Sequence, residues 1–121
     1  MPTKRTPKPG APARGTRTGK PLLVLFDLLG RRWALRLLWE LRGGEHLGFR
    51  SLQERCEQMS SSVLRDRLNE LTQVGLLVTD DEGRYALSAD GSALLRVLAP
   101  LSQWADQWGR NYRSPRSQWE R

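Results

Sequence analysis

Residues 51–77 read SLQERCEQMSSSVLRDRLNELTQVGLL, and their spacing predicts two short helices joined by a tight turn. Ser51-Leu52-Gln53-Glu54 has the form of a capping box, in which the serine accepts a backbone N–H and the glutamate three residues on returns the bond. The helix it opens has Leu52 and Cys56 as its apolar positions, with Met59 just beyond. Ser60-Ser61-Ser62 then supplies an N-cap for a second helix, because a serine hydroxyl satisfies amide donors that a helix start leaves without partners. Leu64, Leu68 and Leu71 recur at intervals of three and four, which is one face of a helix, and Gly75 closes it. Two helices so arranged form a helix-turn-helix candidate, with a recognition helix over about 61–74.

The flanks extend this unit. Leu76-Leu77-Val78-Thr79 and Arg84-Tyr85-Ala86-Leu87 are strand-like runs around Asp80-Asp81-Glu82-Gly83, a hairpin turn. Ser88 opens a long helix reaching about Gly109, with Leu94, Leu98, Leu101, Ala105 and Trp108 in phase and a kink expected at Pro100. On the other side, His46 to Phe49 reads as a small strand. Arg31 to Arg42 reads as a helix with Ala34, Leu37, Leu38 and Leu41 on one face, and Trp33, Leu35 and Trp39 imply cover on a second. From Pro21, Leu22 to Leu29 form a short helix, apolar almost all round and stopped by Gly30. The expected fold is mainly α (α+β): a winged helix-turn-helix with a short two-stranded wing and dimerising terminal helices. A helix apolar on all sides has too little monomer to cover it, so Leu22, Leu25 and Phe26 are expected to meet a second copy together with Leu101, Trp104 and Trp108.

Composition narrows the classes. The 121 residues suit one domain. The longest apolar run, Leu22 to Phe26, is far below the roughly 20 residues needed to cross a bilayer and too short for a signal-peptide core, so a cytoplasmic protein is expected. One cysteine builds no disulfide framework. Cys56 and His46 together fall short of the roughly four ligands of a structural zinc site, so no metal or other cofactor is expected. No serine or aspartate spacing makes His46 part of a nucleophilic triad, which argues against an enzyme. The formal charge of +7 is concentrated in residues 1–20, where Lys4, Arg5, Lys8, Arg14, Arg17 and Lys20 stand without an acid. With four prolines and three glycines, that segment is expected to be a disordered basic tail, serving either as a spacer or as an arm on a polyanion. The domain is expected over 21–112, with a C-terminal tail over 113–121.

Several strings together resemble the HxlR-type winged-helix transcription regulators, relatives of the MarR group. They are Leu28-Leu29-Gly30-Arg31-Arg32-Trp33, Phe49-x-x-Leu52, Met59-Ser60-x-x-Val63-Leu64-x-x-Arg67-Leu68-x-x-Leu71, Gly75-Leu76-Leu77, and Tyr85-x-Leu87-Ser88-x-x-Gly91 followed by Leu94-Leu95 and Trp104. The resemblance implies a homodimer, held by its first and last helices, that binds a double-stranded DNA operator and regulates nearby genes. It also shows departures. Lys20-Pro21 stands where many members carry a redox-sensing cysteine followed by proline, the wing is short and acidic, and Gly48 and Ser62 replace basic residues.

Within this frame Ser60, Ser61, Ser62 and Arg65 are expected to reach bases or phosphates from the start of the recognition helix, with Arg67 beside them and Arg84 on the wing. The competing reading of that face is a solvated surface with Arg65 and Arg67 paired to Asp66 or Glu70. Cys56, four residues after Leu52, is expected to be a buried, inert thiol. Trp104 and Trp108, one turn apart, suit a core or dimer interface ahead of a ligand box. The function expected is that of a sequence-specific, dimeric transcription regulator on an inverted-repeat operator. The alternatives are a winged-helix module for protein contact, through its acidic wing, and a tail-led nonspecific nucleic-acid binder.

Overall fold

The structure is a computed structural model and describes residues 6–112; the expectations for residues 1–5 and for the tail 113–121 lie outside the described residues. Its elements run α1 (Pro21–Leu29), α2 (Ala34–Glu40), α3 (Phe49–Arg55), α4 (Ser61–Gln73), β1 (Leu77–Thr79), β2 (Tyr85–Leu87) and α5 (Ala89–Asn111). The strands pair antiparallel, with Leu77 opposite Leu87 and Thr79 opposite Tyr85. This is a winged helix-turn-helix.

The leucine periodicity places the core. Leu37, Leu38 and Leu41 of the second helical segment meet Leu52 of α3, Leu64, Leu68 and Leu71 of α4, and Leu77 of β1, all fully buried, with Leu28 of α1 closing the cluster. Truncating any one of these leucines to alanine carries a cost of about 2–5 kcal/mol, from lost transfer energy and the cavity left behind. Val24 and Leu28 are the buried face of α1, whereas Leu22 and Phe26 stand exposed. Of the residues expected under a second cover, Trp33 packs against the core, whereas Leu35 and Trp39 are exposed among the described residues; Trp39 carries the Arg42 guanidinium 4.0 Å above its ring.

Three boundaries differ from the sequence reading. The second helix begins at Ala34 rather than Arg31, because Gly30 to Trp33 form a turn in which Trp33 adopts a left-handed φ of 75°. Tertiary bonds hold that turn: the Arg31 side chain pairs with Glu70, and the Arg32 carbonyl accepts a bond from Arg67 Nε at 2.8 Å. The third helix begins at Phe49, two residues before the anticipated serine cap, with Gly48 at its N-cap. The small strand expected over His46 to Phe49 reduces to one bridge, in which Leu47 and Tyr85 exchange N–H···O bonds of 2.9 and 2.7 Å. That pairing leaves the chain free to turn into α3 immediately afterwards.

α4 starts as its serines predict, with Ser60 Oγ accepting from the Val63 N–H at 3.2 Å. At the start of α5, Ser88 Oγ accepts from the Gly91 N–H at 2.9 Å and donates its own proton to the Gly75 carbonyl, where α4 has just ended. Gly91 is required there, since a β-carbon would stand 2.1 Å from the Leu76 carbonyl oxygen. α5 runs unbroken through Pro100, which forgoes the one backbone bond its missing N–H would have donated.

Residues 6–20, expected to be disordered from their composition, instead fold back as a looped arm. Gly10 N–H donates to Gly19 O at 2.8 Å, Ala13 and Thr16 exchange bonds, and the Arg14 N–H reaches Asp27 Oδ2 of α1 at 3.2 Å. Backbone pairing and one carboxylate supply the order that apolar burial could not.

Candidate nucleic-acid interface

The turn between α3 and α4 is what presents α4. Glu57 and Gln58 are consecutive left-handed residues, with φ of 57° and 61°. Gln53 of α3 ties them down: its carbonyl accepts from the Gln58 N–H at 2.8 Å, and its Nε2 donates to the Met59 carbonyl at 2.9 Å and to Ser61 Oγ at 3.1 Å. Beneath the turn lie Met59 and Cys56, both buried. Burial pushes the Cys56 thiol pKa up, against an opposing pull from the Arg36 guanidinium, the setting of a packed side chain and not of a reactive thiolate.

The exposed start of α4 holds the predicted serines together. Ser60 Oγ is engaged as the cap and lies 3.2 Å from Ser62 Oγ, while Ser61 and Ser62 are exposed. A hydroxyl that accepts a cap bond still has its own proton to donate. Arg65, one turn on, is exposed and has its guanidinium 5.1 Å over the ring of Phe49. That stacking limits the arginine's freedom without engaging its N–H donors, which leaves the planar fork available for a bidentate acceptor.

Arg67 and Arg84 have different settings. The Arg67 guanidinium is largely buried, and its Nε donates to the Arg32 carbonyl and its Nη1 to Glu70 Oε1, both at 2.8 Å. It is part of the framework behind α4, which is the carboxylate pairing weighed for it from the sequence. Arg84 lies within the wing, its Nε 3.0 Å from Asp80 Oδ2 and its Nη2 3.6 Å from Glu82. Asp80 is the hub there: the Arg84 and Glu82 N–H groups donate to its Oδ1 at 2.9 Å, and His46 Nδ1 lies 3.0 Å from its Oδ2. The Arg84 backbone bond is the largest influence holding the Asp80 carboxyl well below the usual carboxylate range; desolvation opposes it, and the His46 side chain and the Glu82 N–H add to the lowering.

The residues expected at a dimer interface form two apolar surfaces. Leu22 and Phe26 lie exposed on α1, while Leu25 is partly buried against the core. On α5, Leu101, Trp104 and Trp108 are all more than half exposed. Trp104 and Trp108 stack with ring centroids 5.8 Å apart and planes 8° from parallel, and Tyr112 continues the row at 5.8 Å. Two partners escaped the sequence reading, Phe49 beneath Arg65 and the joint role of Glu70 with Arg31. Their separations along the chain exceed any local periodicity. Only the spacing of Arg67 and Glu70, three apart on one helix, signalled part of it. Among the described residues no group of three or more His, Cys, Asp or Glu could hold a metal, and no helix is long and apolar enough to cross a membrane.

The winged helix-turn-helix, with its second helix capped and exposed at the start, is the architecture of a DNA-binding protein of the transcription-regulator class. Residues 28–113 match the family described as HxlR-like helix-turn-helix. The chain belongs to that family, whose members are DNA-binding transcription regulators rather than enzymes. It is 30% identical over 88 residues to the uncharacterized HTH-type transcriptional regulator YvaP of Bacillus subtilis, covering 68% of this chain and 81% of the relative. It is 32% identical over 89 residues to the HTH-type transcriptional regulator YodB of the same organism, covering 69% and 79%. The crystal structure of quinone-bound YodB superposes with a TM-score of 0.65 at 31% identity, covering 71% of this chain and 94% of that one.

Proposed function

We propose that this chain is a homodimer that reads an inverted-repeat operator in double-stranded DNA, in the cytoplasm, by placing α4 in the major groove. The observation that carries this reading is Arg65, exposed at the start of a capped helix, stacked on Phe49 and lacking a carboxylate partner among the described residues. Arginine is suited to guanine O6 and N7 in a bidentate geometry, and Ser60, Ser61 and Ser62 supply short donors to bases or phosphates around it. Arg67 acts from behind the helix. Arg84 contributes as a phosphate ligand only to the extent that DNA draws it from Asp80 and Glu82.

The dimer is supported by the apolar residues of α1 and α5, since a monomer would leave Leu22, Phe26, Leu101, Trp104 and Trp108 in water. Two recognition helices related by a twofold axis fall about one turn of DNA apart, so half-sites are expected about 10 base pairs apart. The quinone bound to YodB belongs to that protein. Cys56 is buried in the core of this chain, which argues against a thiol reaction at that position as its signal. Selection of bound fragments from random and genomic DNA with the full chain tests the reading: it is expected to recover an inverted repeat bound with steep salt dependence. Recovery of no duplex, with binding instead to a protein partner, would favour a contact role for the acidic wing.

A further inference from the structure

Glu70 is the only charged side chain among the described residues that falls in the buried class. Both its oxygens are occupied, Oε2 by Arg31 and Oε1 by Arg67 Nη1 at 2.8 Å, and Arg67 adds a bond from Nε to the Arg32 carbonyl. Two charge-assisted bonds, Arg31 to Glu70 and Arg67 Nε to the Arg32 carbonyl, therefore join the middle of α4 to the Gly30–Trp33 turn, and the Arg67–Glu70 bond within α4 ties the two together. That turn is the end of α1, and α1 presents Leu22 and Phe26.

A buried ion cluster is a weak source of net stability, because desolvation offsets much of its attraction and leucines of similar volume would serve as well. Forked, charge-assisted bonds add direction, which apolar contacts lack. Gln53 at its start and Ser88 just beyond its end tie down the ends of α4, but along its middle it rests on leucines, whose contacts have no preferred direction. The core fixes its depth, and the Arg31–Glu70–Arg67 cluster fixes its angle to α1.

We propose that Glu70 is a positioning residue that sets the angle of the recognition helix against the dimer helix, and with it the half-site spacing the dimer accepts. This rests on the dimeric DNA-reading assignment above. An angular error in each protomer moves the two recognition helices in opposite senses about the twofold axis, so it enters the distance between half-sites twice. Loss of the cluster therefore relaxes spacing selectivity more than it weakens contact with any one half-site.

The full chain, Glu70→Gln and Arg67→Lys would be compared at fixed salt on the selected operator, on operators with one or two base pairs added or removed between half-sites, and on a scrambled duplex. Thermal melts would be run alongside. The wild type is expected to lose about tenfold in affinity for each base pair of altered spacing. Glu70→Gln is expected to keep its affinity for the scrambled duplex within about twofold while its spacing preference falls to about threefold or less. Arg67→Lys keeps the charge but loses the fork, so it is expected to shift the same way, and it decides the question if Glu70→Gln does not melt cooperatively. A lowered melting temperature with an unchanged spacing profile would overturn the proposal, leaving the cluster merely structural. An equal loss by Arg67→Lys on every duplex would also overturn it, making Arg67 a phosphate ligand. If the wild type itself selects no duplex, the DNA-reading assignment fails and takes this proposal with it, an outcome visible before any variant is made.

Discussion

Replacing Trp108 with alanine probes the proposed dimer most directly. Trp108 is 55% exposed in the single chain, and a tryptophan buries up to about 250 Å², so about 140 Å² per protomer is open for burial by a partner. At about 25 cal/mol per Å² this is at most about 3.5 kcal/mol per copy, or about 7 kcal/mol for the two copies of a symmetric dimer. Association does not return the full transfer value, because side chains are ordered and polar groups at the rim are desolvated. Interface tryptophans that matter typically cost at least about 2 kcal/mol per truncation, so a loss of about 3–5 kcal/mol for the two copies is expected. That corresponds to a dimer Kd raised by roughly two to four orders of magnitude. Trp104 stacks on Trp108 from the same helix, so the companion variant Trp104→Ala should not add to it independently. Sedimentation equilibrium over nanomolar to high micromolar concentration measures the effect, with circular dichroism to confirm that the helices remain. If Trp108→Ala dimerises with the wild-type constant, or if the wild type is monomeric at micromolar concentration, the α1 and α5 surfaces serve something other than a second copy.

Arg65→Ala is expected to cost about 1–3 kcal/mol on the operator and to relax preference at one base position per half-site, read by titrating single-base operator variants at fixed salt. Cys56→Ser should keep DNA binding and leave the response to oxidants unchanged, while chemical denaturation shows a loss of about 1–3 kcal/mol from a hydroxyl in an apolar site. Because the folded-state pKa of Asp80 is depressed, its contribution to stability is fully present above the unfolded value of about 4 and is lost as the pH falls below it. Asp80→Asn should therefore flatten the acid limb of melting temperature against pH; an unaltered acid limb would show that the wing hub does not couple to folding. Gly91→Ala forces a methyl against the Leu76 carbonyl and should destabilise by about 1–3 kcal/mol or more, measured by urea unfolding.

What was legible in the sequence was whatever local chemistry dictates. Ser60 and Ser88 mark helix starts because a hydroxyl answers amide donors two or three residues away, and both caps are present. Leu64, Leu68 and Leu71 face inward because 3.6 residues make a turn. The misplaced boundaries are where distant residues intervene. Arg31 and Arg32 read as the first turn of a helix until Glu70 and Arg67, more than thirty positions away, draw them into a turn. Ser51 reads as a cap until Tyr85 pairs with Leu47 and the chain enters the helix from Gly48. The candidate site divides in the same way: the serines and Arg65 were visible as an exposed arc, whereas the Phe49 ring beneath Arg65 belongs to another helix. The bonds of residues 6–20 are of the kind a count of apolar side chains does not register, since they run through the backbone and Asp27.

The hydroxyl of Ser88 joins Gly75, just past the end of α4, to the first turn of α5, and this has a mechanical consequence. Trp108 lies 20 residues beyond Ser88 on an unbroken helix, a distance of about 30 Å at about 1.5 Å per residue. A rotation of about 5° at this pivot sweeps the tryptophan row through about 2.6 Å over that length. Conversely, a displacement of about 1 Å at the tryptophan row corresponds to a rotation of only about 2° at Gly75.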